Sequence, residues 1–151
     1  MPILLESTYT SGMLLSSIRQ LMTGQSFYNA IRTTDDVIFA NRVRYTGSAI
    51  DFWSEKTGQT QASISYLCSN AHCPHGDDPH MLLPNGTLIL EYDLVGAHIV
   101  FNKPTGPIQP GTRFCIIPLC SDCNHYTNKA EMVLRHNILA PILTWTGRQV
   151  K

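Results

Sequence analysis

The spacing of apolar positions shifts along this chain, and each shift marks a change of expected backbone. Across residues 11–23, Met13, Leu14, Ile18, Leu21 and Met22 recur at three- and four-residue intervals. That period predicts a short amphipathic helix packed on the core, stopped by Gly24. Gln25 to Thr33 reads as a second helical piece, ending near Thr34-Asp35-Asp36. From Val37 the period drops to two. Val37, Phe39, Val43 and Tyr45 fall on one side, and Arg42 and Arg44 on the other. This is a strand signal, with the arginines as solvated charges on its outer face.

Thr46-Gly47-Ser48 and Lys56-Thr57-Gly58-Gln59 read as turns. Ala62 to Leu67 reads as a strand that delivers Cys68, and Ser69 to Pro84 as an irregular loop rich in His, Pro, Asp and Gly. Asn85-Gly86 is a turn before the β-prone run Thr87 to Tyr92. Leu94 to Phe101 and Arg113 to Leu119 form a candidate strand pair, joined by a loop with three prolines. Residues 128–139 have a helical pattern closed by Pro141, which cannot donate to a helix ladder.

The sequence has no apolar run of the roughly 18 residues that a membrane helix needs, so no membrane partner is expected. Met1-Pro2-Ile3-Leu4-Leu5-Glu6 lacks a basic stretch ahead of its apolar residues, which predicts no signal peptide and a cytoplasmic location. Eleven basic and eleven acidic residues balance to a formal charge of zero. That balance lowers the weight of bulk nucleic-acid binding without excluding a local cationic patch. It leaves protein and nucleic acid both open as partners, and the oligomeric state is not encoded in any motif.

Five cysteines, an odd number, all lie between positions 68 and 123. A disulfide framework would spread and pair them, so metal ligation is the better reading. Cys68-x4-Cys73 and Cys120-x2-Cys123 are separated by 46 residues, and the second pair directly follows an apolar strand. Two such pairs can supply four thiolates to one tetrahedral structural zinc. His72 and His75 flank Cys73, so either imidazole is an alternative ligand. Cys115, inside the strand, reads as a small buried hydrophobe. His72, His75 and His80 with Asp77 and Asp78 read as a solvated loop or a second metal site. Together these features predict an α+β fold of mostly antiparallel strands, with a zinc-stabilised β-hairpin and knuckle and helices near the N-terminus and C-terminus. A soft boundary near residue 58 separates a mixed N-terminal region, 1–58, from a zinc-binding module, 59–151, the two packing as one compact domain.

The order Cys-x4-Cys, then Ala97-His98-Ile99-Val100, then Ile116-Ile117-Pro118-Leu119-Cys120-x2-Cys123-Asn124 resembles the HNH nuclease superfamily and its zinc-stabilised ββα-metal and treble-clef relatives. The resemblance spans about residues 66–135. It implies a structural zinc on Cys68, Cys73, Cys120 and Cys123, with His98 as the general base. Asn124 and His125 would be further catalytic residues, beside a second, catalytic divalent metal. The chain departs from the pattern at Ala97, where the family carries an acid or His. It departs again at Phe114-Cys115-Ile116, where an orienting Asn is expected. The resemblance is therefore to a degenerate HNH-like module. Two readings follow from it: an interaction module built on structural zinc, engaging protein or nucleic acid, or a metal-dependent HNH-type nuclease using His98.

Overall fold

The computed structural model describes residues 8–10, 13–31 and 49–145. Its main sheet has the order β1-β2-β9-β7-β6-β3-β8, and the pairings within it are antiparallel. The strands are β1 (Thr8–Thr10), β2 (Met13–Leu21), β3 (Ser26–Asn29), β6 (Leu94–Val100), β7 (Arg113–Cys120), β8 (Met132–Val133) and β9 (Ile138–Trp145). A separate hairpin pairs β4 (His80–Leu82) with β5 (Leu88–Leu90) around the Asn85-Gly86 turn. One α-helix, α1 (Ala49–Thr57), and a 3-10 turn at Ala62–Ile64 complete the described residues.

The molecule is thus mainly β, which corrects the α+β expectation of helices near both ends. Residues 13–21 are β2, paired along their length with β9. The apolar positions behind the helical spacing do not share one face: Leu21 is buried while Ile18 and Met22 are exposed. The register slips between Leu15 and Ser17, where Ser16 is an extra residue. The expected second helical piece holds β3, which pairs with β6 and β8. The expected C-terminal helix over 128–139 is instead a turn, β8 and the start of β9. The Asn128 side chain accepts from Ala130 N and closes a local turn, competing with helix formation. Leu134 then exchanges backbone hydrogen bonds with Gly24 and Gln25. Residues 62–64 are the 3-10 turn rather than a strand. The strand expected over Val37–Tyr45 lies outside the described residues.

Two prolines sit inside strands because the sheet is split there. Pairing between β7 and β9 covers only Arg113–Cys115 against Ile142–Thr144. Beyond it Pro118 and Pro141 each face an open flank, where a missing N–H breaks no ladder. The opening is filled from outside the sheet. Ser69 N donates to Pro118 O at 3.0 Å. The Trp53 indole donates to Leu139 O at 2.8 Å, and Leu139 N donates to the Gln59 side chain at 2.7 Å. Helix α1 lies across β6, β7 and β9 with Phe52 and Trp53 fully buried. Its first turn presses on Gly96, where a Cβ would come within 2.4 Å of the Ala49 carbonyl carbon. The helix was hidden in the sequence between two segments read as turns. Gly58, with φ of 75°, ends it in the left-handed conformation.

Candidate metal centre and cleft

Cys68 is delivered by a tight reversal. The 3-10 turn is followed by Ser65 and Tyr66, both left-handed at φ of 56° and 58°, and Tyr66 N returns to Gln61 O at 2.9 Å. The Cys68 amide then donates to the Tyr92 hydroxyl at 3.1 Å. Cys73 is placed by a turn in which its own amide donates to Asn70 O at 3.0 Å. Cys120 ends β7, and Cys123 follows one turn later, where Asn124 N closes onto Cys120 O at 3.0 Å.

The four cysteines are buried, unbridged, and carry their sulfurs within 4.8 Å of one another. A tetrahedron of sulfurs at the ~2.3 Å usual for zinc has edges of about 3.8 Å. The Cys73 and Cys120 sulfurs stand 3.6 Å apart, which fits such a centre. Donors also point inward, as thiolates require. Cys120 N reaches the Cys68 sulfur at 3.3 Å, Cys123 N the Cys120 sulfur at 3.4 Å, and Asn70 Nδ2 the Cys123 sulfur at 3.5 Å. Hydrogen bonds from Cys123 and Cys68 pull the Cys120 thiol far below its ordinary range. The other three cluster thiols are shifted up, Cys68 and Cys123 mainly by hydrogen bonding to Cys120, and Cys73 mainly by burial, so the four do not ionise independently. Burial pushes the Cys115 thiol up to about 12. The residues present therefore suit a metal such as zinc, and the buried Cys115 behaves as the small hydrophobe expected from the sequence.

Neither imidazole alternative joins the cluster. His72 is exposed, and His75 bonds Asp122 at 2.9 Å and Glu91 at 3.4 Å while lying against Tyr92. Asp77 is taken by Arg135 and Asp78 by His80. The cysteines are the one group of three or more His, Cys, Asp or Glu side chains close enough for a metal among the described residues.

Beside the knuckle is a cleft of about 550 Å³. His98, Asn29, Asn124, Lys103, Tyr126 and Lys129 contribute to its lining, which among the described residues holds no carboxylate. His98 lies in β6 opposite Ile116, only 3% exposed, with its ring 5.0 Å from that of Phe114. Asn124 reaches the same cleft, so two of the three candidate catalytic residues meet there. His125 does not line it. That ring packs on Tyr126 and bonds the Thr127 hydroxyl at 2.7 Å.

The cleft and the metal centre share a wall. The Cys123 carbonyl accepts from Asn29 Nδ2 at 2.6 Å and from Asn128 Nδ2 at 2.8 Å. Asn29 Oδ1 is buried with no hydrogen-bond partner among the described residues. Sequence reasoning missed Asn29, Lys103, Tyr126, Lys129 and Arg135. The signal for Tyr126 and Lys129 was their position directly after Cys123. Asn29 and Lys103 come from segments remote in sequence and carried no signal.

No helix among the described residues is long and apolar enough to cross a membrane. No family model matches the chain, and searches of curated proteins and of solved structures also find no match.

Proposed function

We propose that the protein is a metal-organised binding module on a degenerate HNH-like scaffold, with structural zinc in the four-cysteine site and single-stranded nucleic acid in the adjoining cleft. The observation that carries this reading is the cleft lining, which combines two lysines, an aromatic ring and amide side chains, with no acid among the described residues. Lysines meet phosphates, and Tyr126, 83% exposed, offers a face on which any base can stack. A formal charge of zero for the whole chain makes this cationic surface local, suited to a few phosphates rather than to a long duplex. Four thiolates favour zinc over the hard cations, and a closed site of this kind supplies folding energy rather than an open coordination position.

The nuclease reading draws on one observation, the meeting of His98 and Asn124 at the cleft. Magnesium and similar hard cations prefer carboxylate and other oxygen ligands, and no Asp or Glu among the described residues lines this cleft. Binding without cleavage is therefore the reading the geometry favours.

The test is fluorescence anisotropy of a labelled single-stranded oligonucleotide against the zinc-loaded protein. Two lysine–phosphate contacts give a slope of log affinity against log salt of about −1.4. Tyr126→Ala removes a stacking contact of about 1–3 kcal/mol, which weakens binding roughly 5- to 150-fold. Absence of binding, or binding indifferent to Tyr126→Ala and to Lys103→Glu with Lys129→Glu, overturns the proposal. Cleavage with magnesium, manganese, nickel or zinc that His98→Ala abolishes would replace it with the nuclease.

A further inference from the structure

The loop that carries Cys68 and Cys73 belongs to neither the helix nor a strand of the main sheet, yet it supplies half of the metal ligands. A loop of this kind normally loses considerable conformational entropy when it is ordered around an ion. Here one side chain spans it. The Arg135 guanidinium donates from Nε to Cys68 O at 2.8 Å and from one terminal nitrogen to Asn70 O and Gly76 O, both at 3.0 Å. Its other terminal nitrogen meets Asp77 Oδ1 at 2.6 Å. The backbone adds to this, with Arg135 N donating to Ser69 O at 2.8 Å and Ala71 N to Val133 O at 2.8 Å. The Arg135 side chain is only 11% exposed, while its Asp77 partner is 92% exposed. The bonds to Cys68 O and Asn70 O are thus the sheltered part of the arrangement, while the Gly76 bond and the ion pair lie at the surface.

Each of those carbonyls has a defined relation to a ligand. Cys68 O belongs to the first cysteine itself. Asn70 O also accepts from Cys73 N, and the Asn70 side chain donates to the Cys123 sulfur. Gly76 N in turn donates to Cys73 O, so the turn beyond the second cysteine is pinned at both ends. We propose that Arg135 is a positioning residue for the metal centre: its planar fork holds the Cys68–Gly76 loop so that two sulfurs meet Cys120 and Cys123 before an ion arrives. This inference rests on the reading of the four cysteines as a metal site. Four thiolates around a divalent ion also leave a net negative centre, and the guanidinium adds a fixed positive charge beside the loop that carries two of them.

A lysine keeps the charge and loses the fork, because an ammonium on a flexible stem cannot reproduce three directed bonds to separate carbonyls. Arg135→Lys in the full chain is therefore the informative variant, and Asp77→Asn is the control that removes only the exposed pair. Zinc affinity is read by competition with a chromophoric chelator, and zinc release from the loaded protein by the same reporter. Arg135→Lys is expected to lower affinity about 10- to 100-fold, the range found when groups that orient metal ligands are lost, and to speed release. Asp77→Asn should move affinity by less than about fivefold, as an exposed pair is worth at most about 1 kcal/mol.

Cobalt substitution separates positioning from ligation. At saturating cobalt, Arg135→Lys should keep the tetrahedral four-thiolate spectrum of the wild type, since no ligand has been removed. Urea unfolding of metal-free and loaded forms separates positioning from plain stability. A merely structural contact costs both forms equally and leaves affinity untouched, whereas a positioning residue costs the loaded form more. The release rate starts from the loaded, folded variant and so stands even where the metal-free variant unfolds. Affinity and release equal to wild type in Arg135→Lys overturn this inference alone. A wild-type protein that takes no zinc or cobalt overturns it together with the metal reading.

Discussion

Replacing Gly96 by alanine tests how helix α1 is seated on the sheet. A Cβ at this position would lie 2.4 Å from the Ala49 carbonyl carbon, 2.6 Å from Ile50 N and 2.7 Å from Ala49 Cβ. Two of those three atoms are backbone, so no rotamer change relieves the contact and the first turn of α1 must lift. Overpacking of this kind costs about 1–3 kcal/mol. Lifting the helix also strains the bond from the Trp53 indole to Leu139 O, worth about 1 kcal/mol. Alanine returns about 0.4–1 kcal/mol through the unfolded chain, because Gly96 does not use a left-handed backbone. The net expectation is a loss of roughly 1–3 kcal/mol. Urea unfolding followed by tryptophan fluorescence reads it, with an unchanged slope and a lower midpoint. Gly106→Ala is the matched control, since a Cβ there meets nothing within 4 Å, and its stability should stay within about 0.5 kcal/mol of wild type. A Gly96→Ala protein as stable as wild type would refute the close docking of α1 on β6.

The cysteines should separate cleanly by role. Cys120→Ser should abolish stoichiometric zinc retention and make the melting curve insensitive to chelator, while Cys115→Ser should keep full zinc content and cost about 1–3 kcal/mol for a buried hydroxyl. Zinc content by chelator reporter, with thermal melts, checks both. Burial, aided by Arg135, lowers the pKa of His136 below the ordinary 6.5. The unfolded chain then binds the proton more readily, so the stability from this residue is full above pH 6.5 and falls as the pH drops through the unfolded value toward the folded one. His136→Asn should flatten that acid limb, measured as a smaller change in urea midpoint between about pH 7.5 and 5.5. An equally steep limb in the variant would assign the acid sensitivity elsewhere.

The strands that were legible in the sequence are those whose pattern had no competitor. β6 and β7 are continuous apolar runs with β-branched residues, and they pair as expected. β2 was misread because its apolar residues fall at helical intervals while lying on both faces of the strand, and because it pairs with β9, more than a hundred residues away. The same non-local pairing claims Phe27 and Met132, which no local window connects. Helix α1 is only nine residues long and was masked by the turn-like residues around it. The cysteine cluster was legible because ligand spacing is fixed by local turn geometry, whichever fold surrounds it. The cleft was not, since Asn29, His98, Lys103 and Asn124 become neighbours only through the sheet order.

The Cys123 carbonyl links the four-cysteine cluster to the neighbouring cleft. Cys123 offers its sulfur to the cluster on one side and its carbonyl to Asn29 and Asn128 on the other. A metal bound there fixes one peptide group, and through it the orientation of two amides at the cleft. Asn29 comes from β3, which the same sheet holds against β6 and His98. A metal held by the four cysteines would therefore order the cleft without lining it, and would contribute rigidity where a catalytic ion would contribute a ligand position. Any molecule that prefers the ordered cleft must in turn favour the metal-bound form by the same free energy. Under the proposed function, that reciprocity would make a bound metal part of the binding surface, although the four sulfurs are buried away from it.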